Sequence, residues 1–476
     1  MKKVLFVGGV VLAVLVIVLI AFVFLADINS YRSRIESAAA DALDMDVRIK
    51  GKMGITLIPR FGISMRDVHI GNKGVDVISA EKVTIGLNLI PLLRHEIAIS
   101  EFGFVKPDLH LERDEKGKFN FEPLIKKPGP EKAYYAPFQM KEFGISKGHL
   151  FYTDKKTGGA TELNDCDVTV RDLRSGTNGQ SEPLKKISFN GHIACGKIKT
   201  KDAQVSNLRF DIKGNEGIFD IDPLTMDFFG GTEKGSIGID ITKDVLHLRI
   251  RYAASKFRFE KFFERLSQKK IIRGEMNFSL ELSMKGKSFD EMKRSSDGEA
   301  SWQGQNLLFY NLDLDRLISK IEESQNFSLI DIGAFFLAGP LGTLLTKGYD
   351  FAGVYIETGG GEGDIRRLVS RWKIRHGVAE AEDVALSTRH NRIALKGKLD
   401  FVRERFDNVT EAVLDAKGCI KFSQKINGPF SNPRVEKVSS VKSVIGPVIS
   451  LLEKTKRLFG GGKCDVFYAG SVKHPE

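Results

Sequence analysis

Cysteine and tryptophan are scarce: the 476 residues include four Cys and two Trp, against 33 Phe and 47 Gly. So few cysteines exclude a disulfide-dense scaffold. Proline is sparse too, at 14, and Phe and Gly with little Pro suit strands and turns. Long apolar runs are missing except for one at the amino terminus, which excludes a polytopic membrane protein. A hydrophobic fraction of 42% excludes disorder over most of the chain. The net charge of +11 is spread along the sequence without a basic stripe, so no nucleic-acid partner is expected.

Motifs of catalysis are also missing. No GxxxxGK[ST], HExxH or CxxC occurs, and Gly359–Gly363 is glycine-rich without the Lys-Ser/Thr of a phosphate loop. Carboxylate pairs could be picked at will from so many acidic residues, which is why none is picked. The chain is therefore expected not to be an enzyme and to need no metal or cofactor.

The apolar run is Val4–Ala26, behind Lys2 and Lys3. At ~1.5 Å per residue it is long enough for a ~30 Å hydrocarbon core. It exceeds a signal-peptide core, and cleavage after Ala26 would put Phe24 where a small residue is needed. It reads as an uncleaved single-pass anchor. Lys2 and Lys3 on one side balance Arg32 and Arg34 on the other, with Asp27 and Glu36 on the long side. The short tail is placed in the cytoplasm and the bulk outside it.

Behind the anchor, Ile28 to Leu43 is Ala-rich and helical in pattern; after it the apolar period changes to two. One face collects Val83, Ile85, Leu87 and Leu89; then Leu208, Phe210 and Ile212; then Ile237, Ile239 and Ile241; then Leu246, Leu248, Ile250 and Tyr252. Met276, Phe278, Leu280, Leu282 and Met284 continue the pattern, as do Ile393, Leu395, Leu399 and Phe401 around Gly397. Such alternation predicts strands with one apolar and one wet face, split by turns such as Lys213-Gly214-Asn215 and Gly230-Gly231.

Pro123–Pro137, with prolines at 123, 128, 130 and 137, reads as an exposed loop, and so does Ser175–Pro183. Leu312–Glu323 carries Leu314, Leu317, Ile318 and Ile321 at helical spacing. Leu329–Leu345 is apolar enough to bury, but Asp331 and Pro340 argue against a span. Val438–Phe459 places Val438, Val441, Ile445, Val448 and Leu452 at helical spacing, kinked at Pro447 and ending in Lys454, Lys456 and Arg457. It reads either as a helix capping the sheet or as an amphipathic helix whose basic end meets a partner or anionic headgroups.

In this order the features resemble the AsmA family of bacterial envelope proteins. The resemblance starts at the anchor and runs through Val47–Gly51, Leu57–Ile63, Asp67–Asn72, Ala80–Val83, Leu89–Leu93, Lys106–Leu109 and Asp114–Asn120. Phe121 stands where the family often has Trp. A second block runs from Gly274 through Leu282, Gly286 and Gly298 into Leu307–Leu317, then to Gly397 and Leu399-Asp400, and ends at Lys425–Phe430 and Asn432-Pro433. The match is weakest between Tyr134 and Arg273. Each motif is degenerate; their joint order behind one anchor is specific.

The resemblance implies a mainly β fold: a single transmembrane helix, then an elongated, bent antiparallel sheet with a hydrophobic groove, as in chorein-type bridge-like lipid-transfer proteins, and a few amphipathic helices including a C-terminal one. The expected divisions are an anchor (1–26), an N-terminal β module (27–133), a central sheet (134–273), a C-terminal β module with a helical insertion near 312–346 (274–437) and a C-terminal helix and tail (438–476). Alternation alone suits a sandwich core as well; the resemblance turns the same apolar residues, Val83 to Leu89, Leu208 to Ile212, Ile237 to Ile250, Met276 to Leu282 and Ile393 to Leu399, into a groove lining. About twenty strands at ~4.8 Å would extend roughly 95 Å. The implied function is phospholipid transport between the membranes of a Gram-negative envelope and outer-membrane homeostasis, from an inner-membrane anchor with a periplasmic body. The alternative is an envelope scaffold or regulator of outer-membrane protein assembly that carries no lipid. A periplasmic body permits disulfides. Cys166 with Cys195 and Cys419 with Cys464 are the nearer pairs, though four cysteines allow three pairings or none.

Overall fold

The computed structural model describes residues 28–56, 61–72, 74–88, 91, 98–122, 138–176, 183–201, 203–261, 272–310, 313–316, 318–319, 361–440 and 464–475. The apolar run Val4–Ala26, the proline-rich Pro123–Pro137, Leu329–Leu345 and all but the start of Val438–Phe459 lie outside them. Among the described residues no helix is long and apolar enough to cross a membrane. The chain is mainly β and divides into two compact units, Met1–Phe219 and Asp220–Glu476. The boundary falls inside the stretch expected to form a central sheet.

Unit 1 opens with a 3-10 turn, Ile28–Tyr31, and helix α1, Arg32–Leu43, closed by Asp44 in a left-handed conformation. Ile28 and Ile35 pack on a cluster of Ile49, Met53, Met65, Val68, Ala80 and Val83. Asn29 Oδ1 accepts from the Met53 N–H at 3.0 Å and Glu36 Oε1 from the Ile49 N–H at 2.6 Å. These bonds fasten the helix along the sheet. The strands are β1 (Asp46–Ile49), β2 (Met53–Thr56), β3 (Gly62–Asn72), β4 (Val75–Leu87), β5 (Ile99–Arg113), β6 (Phe138–Asp154), β7 (Gly159–Ser175), β8 (Ile187–Thr200) and β9 (Gln204–Asn215). β1 and β2 both pair with β3, and each later strand pairs with its predecessor.

One pairing corrects the antiparallel expectation. β5 and β6 run parallel, with Phe102 beside Phe143 and Phe104 beside Ile145. A parallel pair needs a long connection to return the chain to the starting edge. Residues 114–137 supply that length, and their prolines cannot extend β5 as a hairpin partner.

A line of backbone kinks crosses unit 1. Asp67, Lys106, Lys147, Asp165 and Asn207 have φ between 46° and 53°. The register puts Asp67 on β3, Lys106 on β5, Lys147 on β6, Asp165 on β7 and Asn207 on β9 at one level, with Gly196 of β8 between the last two. A left-handed residue in a strand bends it and sharpens its twist. Repeated strand after strand, it makes a crease. Asp and Asn bear this conformation best; Lys106 is held by an ion pair to Glu81 at 2.8 Å, and the Lys147 N–H donates to Asp167 Oδ1 at 2.9 Å.

In unit 2, antiparallel pairing joins β11 (Gly231–Asp240) to β12 (Leu246–Arg258), then β14 (Glu275–Gly286), β15 (Asp297–Tyr310), β16 (Glu362–Arg375), β17 (Val378–Ser387), β18 (Arg392–Asp400), β19 (Arg405–Leu414) and β20 (Ile420–Pro429). The unit boundary falls within β10 (Ile218–Phe228), and the two-residue β13 (Ile272–Arg273) pairs with β15. Helix α2 (Phe289–Arg294) is capped by Ser288, whose side chain accepts from the Glu291 N–H. The expected helical run from Val438 is corrected at its start. Ser439 and Ser440 instead add to β20 opposite Ser423 and Phe422, occupying backbone groups that would otherwise form a bare edge.

Candidate functional site

Two rows of apolar side chains cross unit 1 perpendicular to its strands. One runs Ile63, Ile85, Phe102, Phe143, Val170, Gly191, Ile212; the other runs Met65, Val83, Phe104, Ile145, Val168, Ile193, Phe210. The parallel step does not interrupt them, because β5 and β6 stay in phase. Beneath α1 the second row is buried, with Met65 and Val83 in the cluster that Ile28 and Ile35 cover, while Ile63 and Ile85 of the first are partly buried. From β5 to β9 every apolar side chain in them is only partly buried. The opposite face carries Thr84, Gly103, Gly144, Thr169, His192 and Asp211 in one row, where His192 Nδ1 meets Asp211 Oδ1 at 2.6 Å.

Unit 2 repeats the pattern over β11, β12 and β14. Ile237, Ile250 and Leu282 form one row, and Ile239, Leu248 and Met284 the next. All six are partly exposed, while Arg249, Arg251, Glu281 and Ser283 point into solvent. Further along the same strands the face closes over Phe257, Phe259, Met276 and Trp302. Glu233 stands where the open stretch meets the closed one. It is 2% exposed, and the Tyr252 hydroxyl donates to its Oε2. Burial, with a smaller contribution from Asp227, pushes its carboxyl up to about 7.

From β16 to β20 both faces are covered. Leu368, Val384, Leu386, Ile393, Leu395, Val409 and Val413 belong to the main core with Leu314 and Ile318 of the short helical stretch. The other face carries Val369, Ala385, Ala394 and Ala412 in one cross-strand row. The C-terminal tail lies on this row through Tyr468 and Val472. Cys419–Cys464 ties the tail to the turn just ahead of β20, and Asp383 accepts from the Tyr468 and Ser471 hydroxyls. The Arg392 guanidinium donates to the Val472 carbonyl at 3.3 Å and lies 5.7 Å from the Tyr468 ring centre. Burial and the Asp383 carboxylate push the Tyr468 phenol up to about 12.

Among the described residues no group of His, Cys, Asp and Glu has the arrangement of a metal site. The model of the AsmA family matches residues 1–194 and again 185–382. The chain belongs to the AsmA family. No curated protein and no solved structure matches it. AsmA proteins are membrane-associated, and the two matched stretches include the open rows of both units.

The residues expected to line an AsmA groove fall into two sets. Ile85, Leu87, Leu208, Phe210, Ile212, Ile237, Ile239, Ile241, Leu246, Leu248, Ile250, Phe278, Leu280 and Leu282 are partly exposed. Val83, Met276, Ile393, Leu395 and Leu399 are buried in packed clusters. Leu89 lies outside the described residues. Cys166 and Cys195 form a disulfide directly across β7 and β8, level with Leu208. Sequence reading did not find the rows' middle strands, Phe102, Phe104, Phe143, Ile145, Val168, Val170 and Ile193. Their alternation is there, but kinks at Lys106, Lys147 and Asp165 break its phase within each strand.

Proposed function

We propose that this AsmA protein binds phospholipid acyl chains on its open apolar rows and assists phospholipid movement between the membranes of a Gram-negative envelope, without catalysing a reaction. The observation that carries this is the continuity of the rows. Seven strands of unit 1 bring apolar side chains into register, and five leave them half-exposed. An exposed acyl chain costs about 0.8 kcal/mol per methylene in water. Rows of Phe, Ile and Val offset most of that cost at each step, so a lipid can shift from strand to strand over a nearly level energy profile. The headgroup stays in solvent at the mouth. In this reading Val4–Ala26 anchors the chain in the inner membrane, with the body in the periplasm.

Photocrosslinking in cells tests it. A photoreactive residue at Phe210 or Leu248 is expected to capture phospholipid, and one at the outward Arg209 or Arg249 is not. A folded, expressed protein that captures no lipid at either inward position overturns the reading. It would then favour the scaffold or assembly-factor alternative, in which the apolar face receives a protein.

A further inference from the structure

The strand ends of unit 1 form two edges of unequal character. Ile99, Phe138, Leu184 and Ile218 are exposed at one of them, Phe138 to 46% and Leu184 to 59%. The register aligns them. Phe138 opposes Ser175, Ser175 opposes Ile187 just after Leu184, and Ser188 opposes Asn215 just before Ile218. Ile99 begins β5, two residues before the Glu101–Glu142 pair. Arg174, Lys185, Lys186 and Lys213 stand among these side chains, with Asp172, Glu216 and Glu101 as nearby acids and Glu142 paired to Arg171. The opposite edge turns through polar, charged loops such as Asp114–Lys118 and Lys155–Gly158, where Lys155 and Lys118 are paired with Glu112 and Glu122. Among the described residues, Val75 and Phe151 are the exposed large apolar ones on that side.

Helix α1 gives the direction of the chain. Asn29 binds beside Met53 and Glu36 beside Ile49. Along β3, β2 lies nearer the first edge than β1 does, since Thr56 opposes Gly62 and Asp46 opposes Gly71. So α1 runs away from the first edge, and its earliest residues, which follow the apolar run Val4–Ala26 in sequence, lie nearest to it.

We infer that this edge of unit 1 rests on an anionic bilayer surface, with Phe138 and Leu184 among the headgroups and Arg174, Lys185, Lys186 and Lys213 on lipid phosphates. Apolar tips interleaved with cations are what an interface of mixed polarity rewards, and each basic residue adds to attraction by anionic lipid. The inference rests on the reading that the protein works at a membrane, and it adds which surface faces that membrane.

The test is collisional quenching with the full chain reconstituted in vesicles whose lipids carry brominated acyl chains. Native Trp302 and Trp372 are buried at 4% and 3% exposure and give a constant background. Leu184→Trp and Phe138→Trp are expected to be quenched about twofold or more over the parent in phosphatidylglycerol vesicles, and Val75→Trp at the opposite edge is not. Adding Lys185→Glu with Lys186→Glu should remove about half of the excess quenching. Equal quenching at both edges, or none above the parent at either Leu184→Trp or Phe138→Trp, overturns the inference. Lipid capture at Phe210 would persist in that case, so failure here is distinguishable from failure of the lipid-binding reading.

Discussion

The open rows of unit 1 and the β16–β20 region of unit 2 are built from the same kind of residue yet end differently. Ile193 and Phe210 keep partial contact with solvent, whereas Ile393, Val409 and Val413 are 0% exposed. The difference lies in what else covers the strand. In unit 2 a short helical stretch contributes to one side and a disulfide-tied tail lies on the other. In unit 1, α1 covers only the first strands. An apolar face therefore becomes a core or a binding surface according to its cover, and strand composition alone does not decide which.

Paired charge insertions would break or confirm this contrast most sharply. Val409→Asp buries an uncompensated carboxylate between packed strands and is expected to cost about 4 kcal/mol or more. Ile193→Asp can hydrate its carboxylate on the open face and should cost about 1–2 kcal/mol while abolishing lipid capture at Phe210. Calorimetric unfolding of both variants measures the gap; equal losses would erase the distinction between the faces.

Releasing the tail comes next. Cys464→Ser removes a link closing a sequence separation of 45 residues, worth about 2–4 kcal/mol. Hydrogen exchange at Phe467, Tyr468 and Val472 should speed up, while exchange in β7 and β8 stays unchanged. Unaltered protection of the tail would mean that the Asp383 and Arg392 contacts hold it unaided.

An effect seen only as pH changes sharpens the boundary between open and closed surface. The Glu233 carboxyl ionises near 4.5 when unfolded, but only at about 7 when folded. The folded protein thus holds the extra proton between those values. Stability from this site is complete below the lower value and is lost as pH rises toward 7. Glu233→Gln keeps an acceptor for Tyr252 and removes the titration. It should be more stable than the parent by about 3 kcal/mol at pH 8 and indistinguishable at pH 4. A stability difference that does not change with pH would refute the assignment.

Only the open half of this contrast was legible in the sequence. Strict alternation in Leu246–Ile250 and Met276–Leu282 foretold one apolar and one wet face. The same alternation in Ile393, Leu395 and Leu399 predicts a wet face too, but Val384-Ala385-Leu386, Ile393-Ala394-Leu395 and Ala412-Val413-Leu414 are continuous apolar runs buried on both faces. The alanines among them lie on the face that the tail covers. The parallel step was not legible, because period two carries no information on strand direction. The tail was missed because Tyr468 and Val472 have no periodicity; only Cys464 hinted at a fixed position. The crease was hidden because Lys106 and Lys147 are not residues that advertise a left-handed backbone.

On the proposed reading, that crease bears on the state without lipid. A trough with no packed interior has nothing inside to prop its walls apart, and surface tension favours collapse onto itself. In unit 1 the curvature is written into the main chain at Asp67, Lys106, Lys147, Asp165 and Asn207. The covalent bond between Cys166 and Cys195 lies beside that line. Such a wall behaves like a folded metal gutter, whose stiffness comes from the fold rather than from its contents. A carrier so built, as proposed above, would empty and refill without rebuilding its shape, and the work of remaking a vessel would be spared at every passage.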